Sequence, residues 1–285
     1  MNFHNATADT FVPDGRPFED ALRRTTHLAV GAHQDDIEIM AYNGIASCFG
    51  RSDRWMTGVT VTNGAGSART GVYADFTDEQ MMQVRRREQR KAAFVGDYTA
   101  QVQLDYTSSQ VKDPKVGEVV EDLFSIFQVA QPQVVYLHNP ADKHDTHVAV
   151  CLRALEALRR LPAEQQPEQV YGCEVWRSLD WVHDQDKVVL SASAYPNLAA
   201  ALVGLYDSQI SGGKRYDLAT AGRRLANATY LESHATDVES AVTYAVDLKP
   251  LLESPTLSVE EFMFTYMERF FEDVRDRLRR LTKAG

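Results

Sequence analysis

Short apolar runs alternate along this chain with longer stretches in which apolar residues recur at helical spacing. THLAVGAH (26–33), MTGVTVTN (56–63) and the Val-Val-Tyr-Leu run of PQVVYLHNP (132–140) have strand length. The first and third read as strands buried on both faces, which need near-continuous apolar sequence rather than strict alternation. AQVQLDY, near 100–106, is a further strand candidate. Between them, 78–95 places Met81, Val84, Glu88, Ala92 and Val95 near one helical face, and a second helix is expected from about 115 to 130. Residues 148–161 align Val148, Cys151, Leu152, Leu155, Leu158 and Leu161, with Pro162 just beyond, so a helix is predicted to start immediately after His147. QVYGCEVWRS (169–178) and DKVVLSAS (186–193) read as two more strands at an antiparallel edge, and 197–208 reads as a helix. Met263, Met267, Phe270, Phe271, Val274, Leu278 and Leu281 predict a C-terminal amphipathic helix docked by that stripe.

Strands alternating with helices predict an α/β fold: a Rossmann-like three-layer sandwich around a mostly parallel sheet. Such sheets bind ligands beyond the carboxyl ends of their strands, where the segments 34–38 and 138–147 fall. A chain of 285 residues, 44% of them hydrophobic, is expected to form a single domain spanning 1–285, with a core at about 26–210 and a helical elaboration at about 211–285. The formal net charge of -10 disfavours nucleic acid and anionic membrane surfaces as partners. No signal-like N-terminus or long apolar span is present, which predicts a cytoplasmic protein. Cys48, Cys151 and Cys173 lack paired spacing and read as buried structural residues in a reduced compartment.

The candidate chemistry lies in two polar clusters, each directly after an apolar strand: His33-Gln34-Asp35-Asp36-Ile37-Glu38 and His138 through His147. A catalytic zinc takes about three His or carboxylate ligands and keeps one position open for water. His33, Asp36 and His147 are such a set. Adjacent aspartates point in different directions, so one carboxylate of the pair can bind a metal while the other stays free as a general base. The spacing alone also permits a plainer reading, in which these residues cap a helix and line an ordinary loop. His138, at a strand end, reads as a core histidine; His4, His27, His183 and His234 have no motif around them.

AHQDDIE (32–38) resembles the AHPDDxE signature of the PIG-L/LmbE-like zinc-dependent N-deacetylases, which include GlcNAc-PI, mycothiol-pathway and bacillithiol-pathway deacetylases. TNGAGS (62–67) resembles the family's loop after the second strand, and Arg85-Arg86-Arg87-Glu88 with the following AAFVGDY resembles its R-x-x-E helix. HDTH (144–147) is similar to H-P-D-H, and YDSQ (206–209) to the H/Y-x-SQ segment. These matches run in the family's order. The resemblance implies removal of an N-acyl group, most simply acetyl, from an amino sugar or related small molecule or natural-product intermediate.

It further implies His33, Asp36 and His147 as ligands of Zn2+, with Fe2+ or another divalent cation as alternatives. Asp35 would be the base, and His144 the group that stabilises the oxyanion or protonates the leaving amine. Arg85 corresponds to a substrate-contacting position, against its plainer reading as part of a solvated helix face; Asn63 is either a substrate contact or a turn residue. Glu38 either orients a ligand from behind or serves as a first-turn acid. Gln34 stands where the family has proline, and Asp145-Thr146 replace Pro-Asp, which leaves Asp145, one residue out of register, as the carboxylate expected to support His147. The expected partner is a small N-acylated molecule, and a homo-oligomer is left open. Two rival readings remain. Gly64-Ala65-Gly66 after a strand resembles half of a dinucleotide-binding fingerprint, though its third glycine is missing; the other rival is an inactive binding module on the same fold.

Overall fold

The computed structural model describes residues 1–254 and 256–282. Eight strands join in one sheet: β1 Asp9–Phe11, β2 His27–Gly31, β3 Met56–Thr62, β4 Ala100–Tyr106, β5 Val134–His138, β6 Gln169–Cys173, β7 Val188–Ser191 and β8 Val242–Asp247. Their order is β1-β4-β3-β2-β5-β6-β8-β7. The five strands from β4 to β6 run parallel, while β1 and β8 join antiparallel and β7 pairs antiparallel with β8. The α/β expectation holds.

Side chains of β2 alternate between two cores. Leu28 and Val30 pack with the helices Glu118–Ala130 and Asp145–Arg159, whereas Ala29 packs with Ile37, Met40 and Ile45 on the other face. Both faces are covered, which is why β2 reads as an unbroken apolar run. The chain progresses outwards from β2 through β3 to β4, then returns to place β5 on the opposite side of β2. That reversal makes the carboxyl ends of β2 and β5 a topological switch point, and the two polar clusters meet there.

The helix Asp78–Val95 has its predicted bounds, set by a capping box in which Thr77 and Gln80 satisfy each other's backbone N–H. Its inner face carries Arg85, Glu88 and Gln89 as well as Met81 and Ala92, which accounts for the narrow apolar stripe. Several expectations need correction. The helix after β5 begins at Asp145, not after His147, so His147 stands in its first turn. The segment 197–208 is two helices, Pro196–Gly204 and Asp207–Ile210. β6 and β7 do not form a paired edge, because β8 inserts between them. The stretch after 210 is therefore more than a helical elaboration: Val242, Tyr244 and Val246 of β8 belong to the main core.

The C-terminal helix Val259–Thr282 docks only through its first turns, where Phe262, Met263 and Tyr266 are buried. Met267, Phe270, Phe271, Val274, Leu278 and Leu281 are exposed, contrary to the expected docking stripe. A helix of 24 residues is roughly 36 Å long and runs past the layer it packs on. No helix is long and apolar enough to cross a membrane among the described residues.

Two predictions follow from the packing around the central strands. Gly44, in the helix Tyr42–Cys48, sits so close to β5 that an added Cβ would lie 2.6 Å from Tyr136 Cε2 and 2.9 Å from its Cζ. Gly44→Ala should therefore lower stability by about 1–3 kcal/mol through overpacking, reversing the gain of about 1 kcal/mol that helix propensity alone predicts; the urea midpoint reports the sign. Burial, helped by Arg54, pushes the His27 imidazole down to about 4. The unfolded chain then binds more protons than the folded one between about 6.5 and 4, so this group removes stability as pH falls through that window. His27→Asn should lose roughly 2–3 kcal/mol less than the parent between pH 7 and about pH 4.5, in denaturation curves recorded with a chelator present.

Candidate metal centre and its pocket

The turn after β2 brings the Asp36 carboxylate under its own loop, where Oδ2 accepts the His33 backbone N–H at 2.6 Å. His33 Nδ1 lies 3.3 Å from Asp36 Oδ2 and 3.2 Å from His147 Nε2, and His147 Nε2 lies 3.4 Å from Asp36 Oδ1. Two donors bound at about 2.0–2.1 Å to a tetrahedral zinc stand roughly 3.3–3.4 Å apart. The three expected ligands thus have the mutual spacing such an ion requires. Asp36 and His147 are buried, whereas the His33 side chain is 23% exposed, so the cluster opens towards solvent on the His33 side.

A carboxylate does stand behind His147, but it is Asp142 and not Asp145, which is exposed in the first turn of its helix. Asp142 Oδ2 lies 3.3 Å from His147 Nδ1, and Asp142 also accepts backbone N–H groups from His144, Trp176 and Arg177 at 3.1–3.3 Å. A proton held on Nδ1 leaves the Nε2 lone pair facing Asp36 and His33. Burial alone would raise the Asp142 carboxyl, yet the His147 contacts outweigh it and hold the group below its usual range. The Asp36 carboxyl is likewise held well below its usual range, since His147 and His138 overcome the burial penalty.

His138 is buried, as expected of a core histidine, but it also borders the cluster. It stacks on His147 at 3.9 Å and places Nε2 3.3 Å from Asp36 Oδ2. Asp36, His138 and His147 form a second grouping with metal-like spacing, and His33, His144 and His147 a third. The Ala32 backbone N–H already donates to His138 Nε2 at 2.9 Å, which occupies that lone pair and favours His33 as the third ligand.

Asp35 occupies the left-handed region at φ 101°, a strained setting for a non-glycine residue. That reversal aims its carboxylate away from Asp36, towards Arg85, whose Nη2 lies 3.2 Å from Oδ2. Burial pushes the Asp35 carboxyl up to about 7, against the pull of Arg85. Arg85 is not on a solvated face: it is 1% exposed and lies 3.6 Å from Glu88 Oε2. Ser208, from the YDSQ segment, gives both its N–H and its hydroxyl to Glu88, at 2.8 and 2.6 Å.

The His144 ring sits 4.5 Å from that of His147 and 5.0 Å from that of His33. Burial and the neighbouring His33 lower its affinity for a proton. Glu38 supports no ligand; two residues beyond Asp36, it turns into the interior, accepting Tyr98 and Tyr206 hydroxyls at 2.7 and 2.6 Å and the Gln89 amide at 3.1 Å. Asn63 caps its own turn, accepting the Ala65 N–H at 3.1 Å, and also lines the pocket. Gly64 beside it has φ +76°, and a Cβ there would lie 2.6 Å from Gln34 Oε1. This glycine loop does not open directly onto a long helix, since the next α-helix begins only at Asp78, so a dinucleotide cradle lacks its helix terminus.

His33, Asp35, Asp36, Asn63, Arg85 and His144 face one cavity of about 630 Å³, closed from the far side by residues 174–176 and 214–224. Trp176, Lys214 and Tyr216 in that wall had no local motif to mark them.

In sequence, no curated protein matches the chain. Residues 28–158 match the family PIG-L: GlcNAc-PI de-N-acetylase. Among solved structures, N,N'-diacetylchitobiose deacetylase from Pyrococcus horikoshii is similar with a TM-score of 0.61 at 15% identity, covering 81% of this chain and 86% of that one. The 4-carboxy-2-hydroxymuconate hydratase GalB from Pseudomonas putida KT2440 is similar with a TM-score of 0.59 at 18% identity, covering 79% and 96%. The A40926 pseudoaglycone deacetylase Dbv21 is similar with a TM-score of 0.55 at 16% identity, covering 79% and 97%. The segment 28–158, which contains His33, Asp35, Asp36, His144 and His147, is thus similar to the PIG-L family, and the solved structures share its fold.

Proposed function

We propose that this protein is a metal-dependent N-deacetylase acting on an acylated amino sugar or a related small-molecule intermediate. The observation that carries the reading is the triangle of His33, Asp36 and His147 donors at 3.2–3.4 Å, with the Asp35 carboxylate beside it but turned away. Zinc suits two imidazoles and a carboxylate, and iron(II) or another divalent ion fits the same donors. When bound, such a cation supplies Lewis acidity and acidifies water.

The chain's own residues divide the remaining work. Asp35, with its carboxyl near 7, takes a proton from water attacking the amide carbonyl at neutral pH and, once protonated, is acid enough to pass it to the leaving nitrogen. Arg85 holds Asp35 in place from a buried position. His144 presents an imidazole to the side of the cavity where the carbonyl oxygen gathers charge, and a preorganised donor there is worth about 3–4 kcal/mol. Asp142 fixes the tautomer of His147. The wall built by residues 174–176 and 214–224 narrows access by water and admits a small molecule. The net charge of -10 and the lack of a membrane-spanning helix among the described residues favour a soluble substrate and a cytoplasmic setting.

Two substitutions separate the assigned roles. Asp35→Asn should reduce acetate release from N-acetylated amino sugars by about 10²–10⁴-fold while the protein still retains its metal; unaltered turnover would remove Asp35 from the mechanism. Asp142→Asn should instead weaken metal affinity about 10–100-fold, read as the chelator concentration that halves bound metal, and activity should return when the metal is supplied in excess.

A further inference from the structure

The metal cluster occupies only the inner end of the cavity, and the outer end has a different chemistry. Lys143, in the loop after β5, and Lys214, in the loop before the helix Tyr216–Tyr230, both reach the Trp176 ring, with their Nζ atoms 6.0 and 5.1 Å from its centroid. Neither ammonium forms an ion pair among the described residues, although the chain as a whole carries ten more acidic than basic charges. Arg223 adds a third positive charge to the same wall, and its contact there is the neutral Val175 carbonyl. The acids beside this wall are engaged elsewhere: Glu174 is turned inwards and accepts the Leu179 and Tyr244 backbone N–H groups at 3.0 Å, and Asp142, next to Lys143, faces His147 and the Trp176 and Arg177 N–H groups at 3.1–3.3 Å.

Trp176 links this cationic end to the reacting end. Its ring lies 6.1 Å from that of His144 on one side, while Tyr216 meets it edge-on at 6.1 Å and 90° on the other. A half-buried indole with polar groups around its rim suits the apolar face of a sugar or another ring. Two ammoniums held near one ring repel each other, and an anion placed between them relieves that repulsion. Three separate segments, after β5, after β6 and before Tyr216, converge to build the arrangement.

We propose that Lys143, Lys214 and Trp176 form a ring-and-anion subsite, and that the substrate carries a carboxylate or phosphate on, or next to, the ring bearing the acylated nitrogen. This inference rests on the deacetylase reading for the identity of the scissile bond, but the subsite itself is a statement about binding. It narrows the substrate class to anionic N-acyl glycosides and similar acidic ring compounds, and it excludes neutral oligosaccharides as the preferred ligands.

The test uses the metal-loaded full chain with three probes: N-acetylglucosamine, its 6-phosphate, and N-acetylmuramic acid for the carboxylate. Equilibrium titration should show the two charged probes binding at least about tenfold more tightly than the neutral one, with that advantage shrinking as salt is raised. Lys143→Gln with Lys214→Gln should abolish the advantage and leave the neutral probe within about twofold. In turnover the same double variant should raise KM for the charged probes with kcat little changed. The phosphate and carboxylate arms show which anion is preferred. Equal or undetectable binding of all three probes, or equal losses for charged and neutral probes in the double variant, overturns the subsite. Salt-sensitive binding of the charged probes without acetate release from any probe keeps the subsite and overturns the deacetylase reading.

Discussion

The structure of the site depends on one buried carboxylate. Asp36 has 3% of its surface exposed, and an ionised carboxylate so placed is tolerated only with compensating partners. The His33 N–H from the turn after β2 donates to it at 2.6 Å, and the His138 and His147 rings, from the end of β5 and the helix after it, close round it at 3.3–3.4 Å from both sides of the sheet's switch point. The parallel pairing of β2 with β5 is what brings two segments more than a hundred residues apart into this contact. Removing Asp36 would therefore take the carboxylate donor from among the clustered imidazoles, and a divalent cation is the natural addition when all are present.

Around that centre, backbone conformation decides which group does what. Asp35 and Asp36 are chemically identical neighbours, yet a left-handed φ at Asp35 sends one carboxylate to Arg85 and leaves the other among histidines. Their proton affinities separate accordingly, one pushed up to about 7 by burial and the other held low by adjacent rings. The strain is sustained by the helix Asp78–Val95, whose Gln89 accepts the Asp35 N–H and whose Arg85 grips its side chain. The fold by itself carries no such division of labour, since a hydratase and deacetylases share its outline at 15–18% identity.

Much of this was legible in the residues, for identifiable reasons. The central strands β2 and β5 are buried on both faces and so announce themselves as apolar runs, and the ligands follow them directly. The carboxylate behind His147 was misplaced by three residues, because the loop folds back and the helix starts at Asp145, which turns that side chain outwards. Glu38 had the right spacing from His33 but faces a buried tyrosine pair, a relationship that only the tertiary structure determines. β8 went unseen because its sequence neighbours are helix and loop, and its partners β6 and β7 lie more than fifty residues upstream. The C-terminal stripe was read correctly as amphipathic, but periodicity does not say how far a helix extends beyond the surface it packs on.

The segment after residue 210 does two jobs with the same atoms. Arg224 reaches from its helix to the Glu38 and Ile39 carbonyls, and Asn227 ties Glu174 to the Val242 carbonyl of β8, while Tyr216, Thr220 and Arg223 on that helix face the cavity. A lid hinged on flexible loops can be exchanged between relatives without disturbing the body beneath it. Here the recognition wall is mortised into the sheet, so a change of ligand preference by wholesale replacement of this segment must also reproduce β8's register, and drift at single positions on the helix face is the easier evolutionary route.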